Sequence, residues 1–235
     1  MALDLARSAA LLGMILYHFT FDLALFGYLP PDTAITGVWA AFAKLVAGSF
    51  LFLAGGSLWL AHGRGLLWPA FRRRLAMVGG AAALITVATY VAMPQSFIFF
   101  GILHSIAMCS VIGLAFLRLP GLLTLGCALG VLLLPQYARF ELFNTPWFWW
   151  TGLGTIWPPT MDYEPIFPWA APFLAGLGVA RMLDRSGWLP RPAVPGAVQR
   201  VLAWPGRHSL AVYLVHQPVL IGLLWLVTQG TGKVP

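Results

Sequence analysis

This sequence predicts an all-α, polytopic transmembrane helix bundle of about seven spans, with the N-terminus cytoplasmic and the C-terminus outside. Three observations carry the prediction. Apolar residues fill 60% of the 235 positions and charged residues only 9%. The mean hydropathy is +0.82, and the apolar residues fall in long runs without the period-2 alternation of strands. A soluble domain carries about 25% charged and about 45–50% apolar residues, so this chain lacks the polar surface to cover itself in water. At roughly 20 residues per crossing, spanning helices and short connections use up the length, which excludes a separate extramembrane catalytic domain. A single transmembrane domain over 1–235 is expected.

The runs are 5–29, 37–61, 75–93, 97–117, 119–134, 166–183 and 209–227. The first is too long for a signal peptide, lacks a small-residue cleavage site and holds polar residues, so it reads as a retained helix. The next three and the last two are each long enough to cross a bilayer, and the fifth is the shortest. All exceed the ~10-residue strand of a membrane barrel. Two connections are long. Residues 135–165 hold Trp147, Phe148, Trp149, Trp150 and Trp157 among prolines and glycines, a composition for the outer interface, either as an aromatic belt or as a lid. Residues 184–208 are rich in Pro and Arg and read as a cytoplasmic loop or short surface helix.

Fourteen Lys and Arg against seven acids give a formal charge of +7. The arginines gather between apolar runs rather than along an amphipathic face, so no nucleic-acid partner is expected. They encode direction: eleven fall in segments that are cytoplasmic if Met1 is, against Arg139 and Lys233 on the other side, with Lys44 inside a span. Cys109 and Cys127 lie inside apolar runs, which indicates neither a disulfide framework nor a zinc site, and no metal is expected.

Ionisable side chains inside a bilayer cost at least about 2.5–3.5 kcal/mol at mid-helix, so each needs a partner or a purpose. Arg7 and His18 are spaced to share one helix face to within roughly 20°, with His18 about 16.5 Å higher. Asp22 follows at i+4 and can reach the His18 ring. Lys44 and His104 each lie about 10 Å below the outer edge of their runs, and His216 lies about 12 Å above His208, with Tyr213 and Gln217 beside it. These groups are expected to line one polar pocket among the first, second, fourth and seventh spans. Asp22 with Lys44 reads equally as a buried ion pair locking two helices. His104 and His216 read as interhelical hydrogen-bonding groups or as catalysts. His62 and His208 sit at the cytoplasmic boundary and receive no role.

The stretch Asp4-Leu-Ala-Arg7, followed ten residues later by His18, resembles the Arg-x10-His signature of the membrane acyltransferase 3 family. Residues 206–218, with Ser209-Leu210, Tyr213-Leu214, His216 and Pro218, resemble a motif near the end of that superfamily. More closely, Tyr17-His18-Phe19 with Phe21-Asp22-Leu23, Ser49-Phe-Leu-Phe-Leu-Ala-Gly55, Phe100-Gly-Ile-Leu-His104 and Glu164-Pro-Ile-Phe-Pro-Trp169 resemble short bacterial members of the heparan-alpha-glucosaminide N-acetyltransferase catalytic-domain family. The resemblance covers nearly the whole chain. It implies a protein of the bacterial inner (cytoplasmic) membrane that moves an acyl group, expected to be acetyl, from cytoplasmic acyl-CoA to an acceptor reached from the other side. His18 takes the catalytic position by that resemblance. The loop 30–37 contains no histidine, where the lysosomal member carries one, so heparan glucosamine is not the expected acceptor.

The expected chemistry has Asp22 orienting His18, which as general base takes the proton of an acceptor hydroxyl or amine. Lys44, His104, Tyr213 and His216 complete the candidate catalytic set, the first three as groups for developing oxyanion charge. Arg7 and the Arg72, Arg73 and Arg74 cluster are candidates for the CoA phosphates, the cluster equally suiting anionic lipid headgroups. Asp162, Glu164 and Trp169 are candidates on the acceptor side. Expected partners are membrane lipids, acyl-CoA and an unidentified acceptor, with a homo-oligomer or larger membrane complex left open. Two rivals are a non-enzymatic membrane subunit or carrier, which would bind no CoA, and a b-type haem protein with paired imidazoles, which would show a Soret band.

Overall fold

The computed structural model describes residues 1–188 and 196–231. Among these, nearly all regular structure is helical: α1 (Ala2–Leu25), α2 (Gly37–His62), α3 (Trp68–Ala92), α4 (Ile102–Phe116), α5 (Gly121–Tyr137), α6 (Ile166–Arg185), α7 (Ala197–Leu202), α8 (Trp204–Arg207) and α9 (Ser209–Thr231). Five of them, α1, α2, α3, α6 and α9, are long and apolar enough to cross a membrane, and α4 and α5 are shorter apolar helices. Each of the seven expected runs is thus a helix. Large apolar side chains such as Leu12, Leu84, Val91, Leu122 and Leu226 are exposed along them, as befits an integral membrane protein whose outer surface meets lipid.

The boundaries differ where local chemistry overrides hydropathy. The third run was expected from 75, yet α3 begins at Trp68 with Pro69 in its first turn; the proline ring presets helical φ there and its missing N–H is not needed. Arg72, Arg73 and Arg74 are therefore helical. The fourth run was expected from 97, yet α4 begins only at Ile102 after the extended Gly101. The residues before it make an isolated parallel bridge between Phe100 and Tyr163. The long connection 135–165 holds two short 3-10 turns, Glu141–Asn144 and Pro146–Thr151; the second carries Trp147, Trp149 and Trp150, and Trp157 lies outside both. The connection 184–208 contains α7 and α8; residues 189–195, with Arg191, lie outside the described residues, as does Lys233.

The chain divides into two units, residues 1–50 with 191–235, and residues 51–190. In the first, α1 packs against α8 and α9. A Cβ at Gly206 would overlap the Asp4 carbonyl and crowd the Ser8 nitrogen, and the Gly206 N–H donates to the Ser8 hydroxyl at 2.9 Å. Higher up, the Gln217 amide donates to Asp22 at 2.7 Å, and the Tyr28 and Thr228 hydroxyls meet at 3.3 Å. Both helices climb together through these ties, so α1 and α9 run parallel.

In the second unit, α5 and α6 form the largest helix pairing and α4 packs on α6 and α3. A Cβ at Gly55 would overlap the Phe173 carbonyl, and one at Gly176 the Phe52 carbonyl. Small residues thus let the backbones of α2 and α6 touch, the usual basis of close packing in a membrane where apolar burial alone gives little drive. One end of this unit is fixed by Arg181, which is 6% exposed, lies 4.8 Å over the Trp59 ring and donates to the Leu117 carbonyl at 2.7 Å, satisfying an acceptor at the end of α4.

Candidate active site

In the first unit, the Ser8–Gly206 contact sets the register of the parallel pair. His18 then lies about 15 Å above Ser8, and His216 about 12 Å above His208, at a comparable height. Their rings meet at 4.9 Å between centroids, tilted by 57°. Tyr17 flanks His18 at 5.4 Å, and Tyr213 flanks His216 at 5.6 Å. The Nδ1 of His216 is hydrogen-bonded to the Tyr213 carbonyl one turn earlier.

Asp22 is fully buried. Its Oδ1 accepts the Gln217 amide N–H, while its Oδ2, the Gln217 Oε1 and the His216 Nε2 are buried without hydrogen-bond partners. Buried polar atoms are normally satisfied, and each left unmet costs about 1–3 kcal/mol. Three such atoms lie on the α1–α9 helix pair, and a ligand with hydrogen-bonding groups would satisfy them.

Several expected pairings are not made. Asp22 bonds Gln217, not His18: the amide reaches the carboxyl from the facing helix, and the His18 ring is turned to His216, so the base-plus-orienter pair on α1 does not form. Lys44 is exposed on α2 and makes no ion pair with Asp22 among the described residues, so the buried ion pair is replaced by the Asp22–Gln217 bond. Arg7 donates to Asp4 one turn below at 3.0 Å, an ion pair within the first turns of α1. Gln217 entered the sequence reading only as a neighbour of His216. Its signal was an amide beside a histidine in an apolar run.

His104, in the second unit, has both nitrogens engaged. Its Nδ1 accepts the Gly101 N–H at 3.3 Å, and its Nε2 lies 3.1 Å from Thr86 Oγ1, which itself donates to the Ile98 carbonyl at 2.7 Å. The ring joins α3 to the start of α4, the interhelical alternative. Asp162, expected to face an acceptor, instead accepts the Ile102 N–H at 3.2 Å at the positive end of α4, with no room for a Cβ at Gly101 beside it. The Glu164 N–H donates to the Phe100 carbonyl at 3.0 Å, and Trp169 is half-buried in the first turn of α6. Arg72 and Arg73 are exposed near the start of α3.

The Asp162 anchor carries a pH dependence. Loss of solvent pushes its carboxyl from 3.8 up to about 6, against the opposing pull of the Ile102 N–H. A carboxyl protonated more readily when folded lends stability that is complete below its unfolded value and is lost as pH rises through the folded one. The thermal transition of the purified protein is therefore expected to fall as pH rises through about 6, and Asp162→Asn to flatten that part of the curve. An unaltered pH profile in the variant would show that the anchor does not titrate.

No curated protein and no solved structure matches the chain. A family model does: the one described as heparan-alpha-glucosaminide N-acetyltransferase, catalytic, matches residues 1–218. The matched stretch takes in α1 and extends through His216 and Gln217 to Pro218, so both sides of the imidazole pair fall inside it. The chain therefore belongs to the heparan-alpha-glucosaminide N-acetyltransferase catalytic family, a family of membrane acetyltransferases.

Proposed function

We propose that this protein transfers an acetyl group from cytoplasmic acetyl-CoA to a hydroxyl or amine acceptor at the outer side of a bacterial inner membrane. The observation that carries the reading is the pair of imidazoles, His18 and His216, in ring contact between two parallel apolar helices. His18 makes no hydrogen bond among the described residues, so its nitrogens remain available to a substrate. Direct transfer needs a base for the acceptor proton and a donor for the thioester oxygen, and two neighbouring imidazoles supply both. Arg7, near the inner end of α1, has the charge and planar fork suited to a CoA phosphate. It lies about 16.5 Å below His18, a distance suited to a long, thin pantetheine arm. The parallel sense of α1 and α9 fits a chain whose ends lie on opposite faces.

The purified protein, incubated with radiolabelled acetyl-CoA, is expected to release CoA thiol with water or an added amine as acceptor. His18→Ala should reduce turnover by about 100-fold or more, the scale of a lost acid–base or oxyanion group. A wild-type protein that neither turns over nor is thermally stabilised by CoA would favour the carrier or subunit reading.

A further inference from the structure

Resting on the acetyl-transfer reading, the geometry points to His216, rather than His18, as the group that takes the acceptor proton, with the Tyr213 carbonyl as its positioning group. A carbonyl oxygen can only accept a hydrogen bond, so the His216 Nδ1 facing it must carry the hydrogen. The neutral ring then has its lone pair on Nε2. That nitrogen is buried and has no hydrogen-bond partner.

The other described histidines differ in the feature that matters. Both nitrogens of His104 are engaged. The Nδ1 of His62 accepts the Leu67 N–H at the inner boundary, and His208, also bonded through Nδ1 to a carbonyl, is exposed. His18 has no group holding its tautomer. His216 alone among the described histidines combines a tautomer set by the backbone with a buried, unmet basic nitrogen. A second-partner bond of this kind orients the ring and raises the basicity of the opposite nitrogen.

The reaction balances on this assignment. The acceptor X–H donates to His216 Nε2, and X forms its bond to the thioester carbonyl carbon as the proton passes to Nε2. The imidazolium hydrogen on Nδ1 stays against the Tyr213 carbonyl. The tetrahedral intermediate then breaks its C–S bond, and the leaving thiolate takes the proton from Nε2. Acetyl has moved from sulfur to X, one hydrogen from X to sulfur, and the ring is neutral again. His18, in contact with His216, is placed to donate an N–H to the thioester oxygen.

The test measures acetyl-CoA turnover by the full chain, with water as acceptor, against pH and with added free imidazole. His216→Ala should lose about 100-fold or more in kcat, lose the acidic limb of the kcat/KM profile, and regain part of its activity with imidazole. His18→Ala should lose activity, keep that limb and gain nothing from imidazole. His216→Gln, which retains a polar group of similar size, should fold with a wild-type thermal transition and show the same lost limb, which guards against misfolding of the alanine variant. Wild-type kcat in His216→Gln, or imidazole rescue of His18→Ala instead, would overturn the assignment while leaving acetyl transfer intact. Absence of turnover in the wild type would instead remove the acetyl-transfer reading beneath it.

Discussion

Gly206→Val is expected to abolish acetyl transfer although the residue lies more than two helical turns below His216. Gly206 sits where α8 meets α1, and any Cβ there would overlap the Asp4 carbonyl, a backbone atom that cannot rotate away. The overlap can be relieved only by moving α8 off α1, which also breaks the Gly206–Ser8 hydrogen bond. Overpacking of this kind costs about 1–3 kcal/mol, occasionally more. The functional loss is larger than the thermal one. His18 and His216 come from different helices and meet only because those helices share a register. A displacement of about 1 Å at such a site can cost on the order of 100-fold in rate. The variant should therefore show a lowered thermal transition and at least that drop in CoA thiol release. Wild-type turnover in Gly206→Val would mean that the α1–α8 contact does not set the imidazole pair.

Asp22 should respond in opposite ways to two substitutions of similar size. Asp22→Leu removes the acceptor of the Gln217 amide N–H and leaves a buried donor stranded beside an already unmet Gln217 Oε1. A stranded buried group costs about 1–3 kcal/mol, so the thermal transition should drop by several degrees. Asp22→Asn keeps an oxygen for the Gln217 N–H and presents an N–H in place of the unmet Oδ2, beside a Gln217 oxygen that needs a donor. It also removes an ionisable group from the apolar region, where such groups are expensive. Its transition should equal or exceed that of the wild type. If asparagine destabilises as much as leucine, the charge itself holds the helices, and the amide bond is secondary.

The seven apolar helices were legible because hydropathy is summed over many residues and no single contact can reverse it. Their ends were less so: Pro69 started α3 seven residues before the apolar run, and Gly101 delayed α4, each by a local backbone preference that hydropathy does not register. For the site, spacing identified His18 and Asp22 on one helix and His216 on another. It could not choose among partners. Asp22 had three candidates within reach by depth, His18, Lys44 and the unweighted Gln217, and only the facing of α1 and α9 decides that the amide wins. In the same way, His104 and His216 looked alike as single polar residues in apolar runs. What separates them is whether nearby backbone and hydroxyl groups engage both ring nitrogens or one, a matter of a few ångströms that no spacing rule carries.

The shared direction of α1 and α9 imposes a parity on the helices between them. For α9 to ascend beside α1, an odd number of crossings must intervene, so α4 and α5, each short for a crossing on its own, must be counted together. If both cross, five helices intervene; if neither does, three. Where both cross, deleting one of the two would invert α9 and carry His216 to the opposite depth, while deleting the pair would preserve its direction. The short helices thus count as a single topological unit, both crossing or neither, although each packs on α6 rather than on the other.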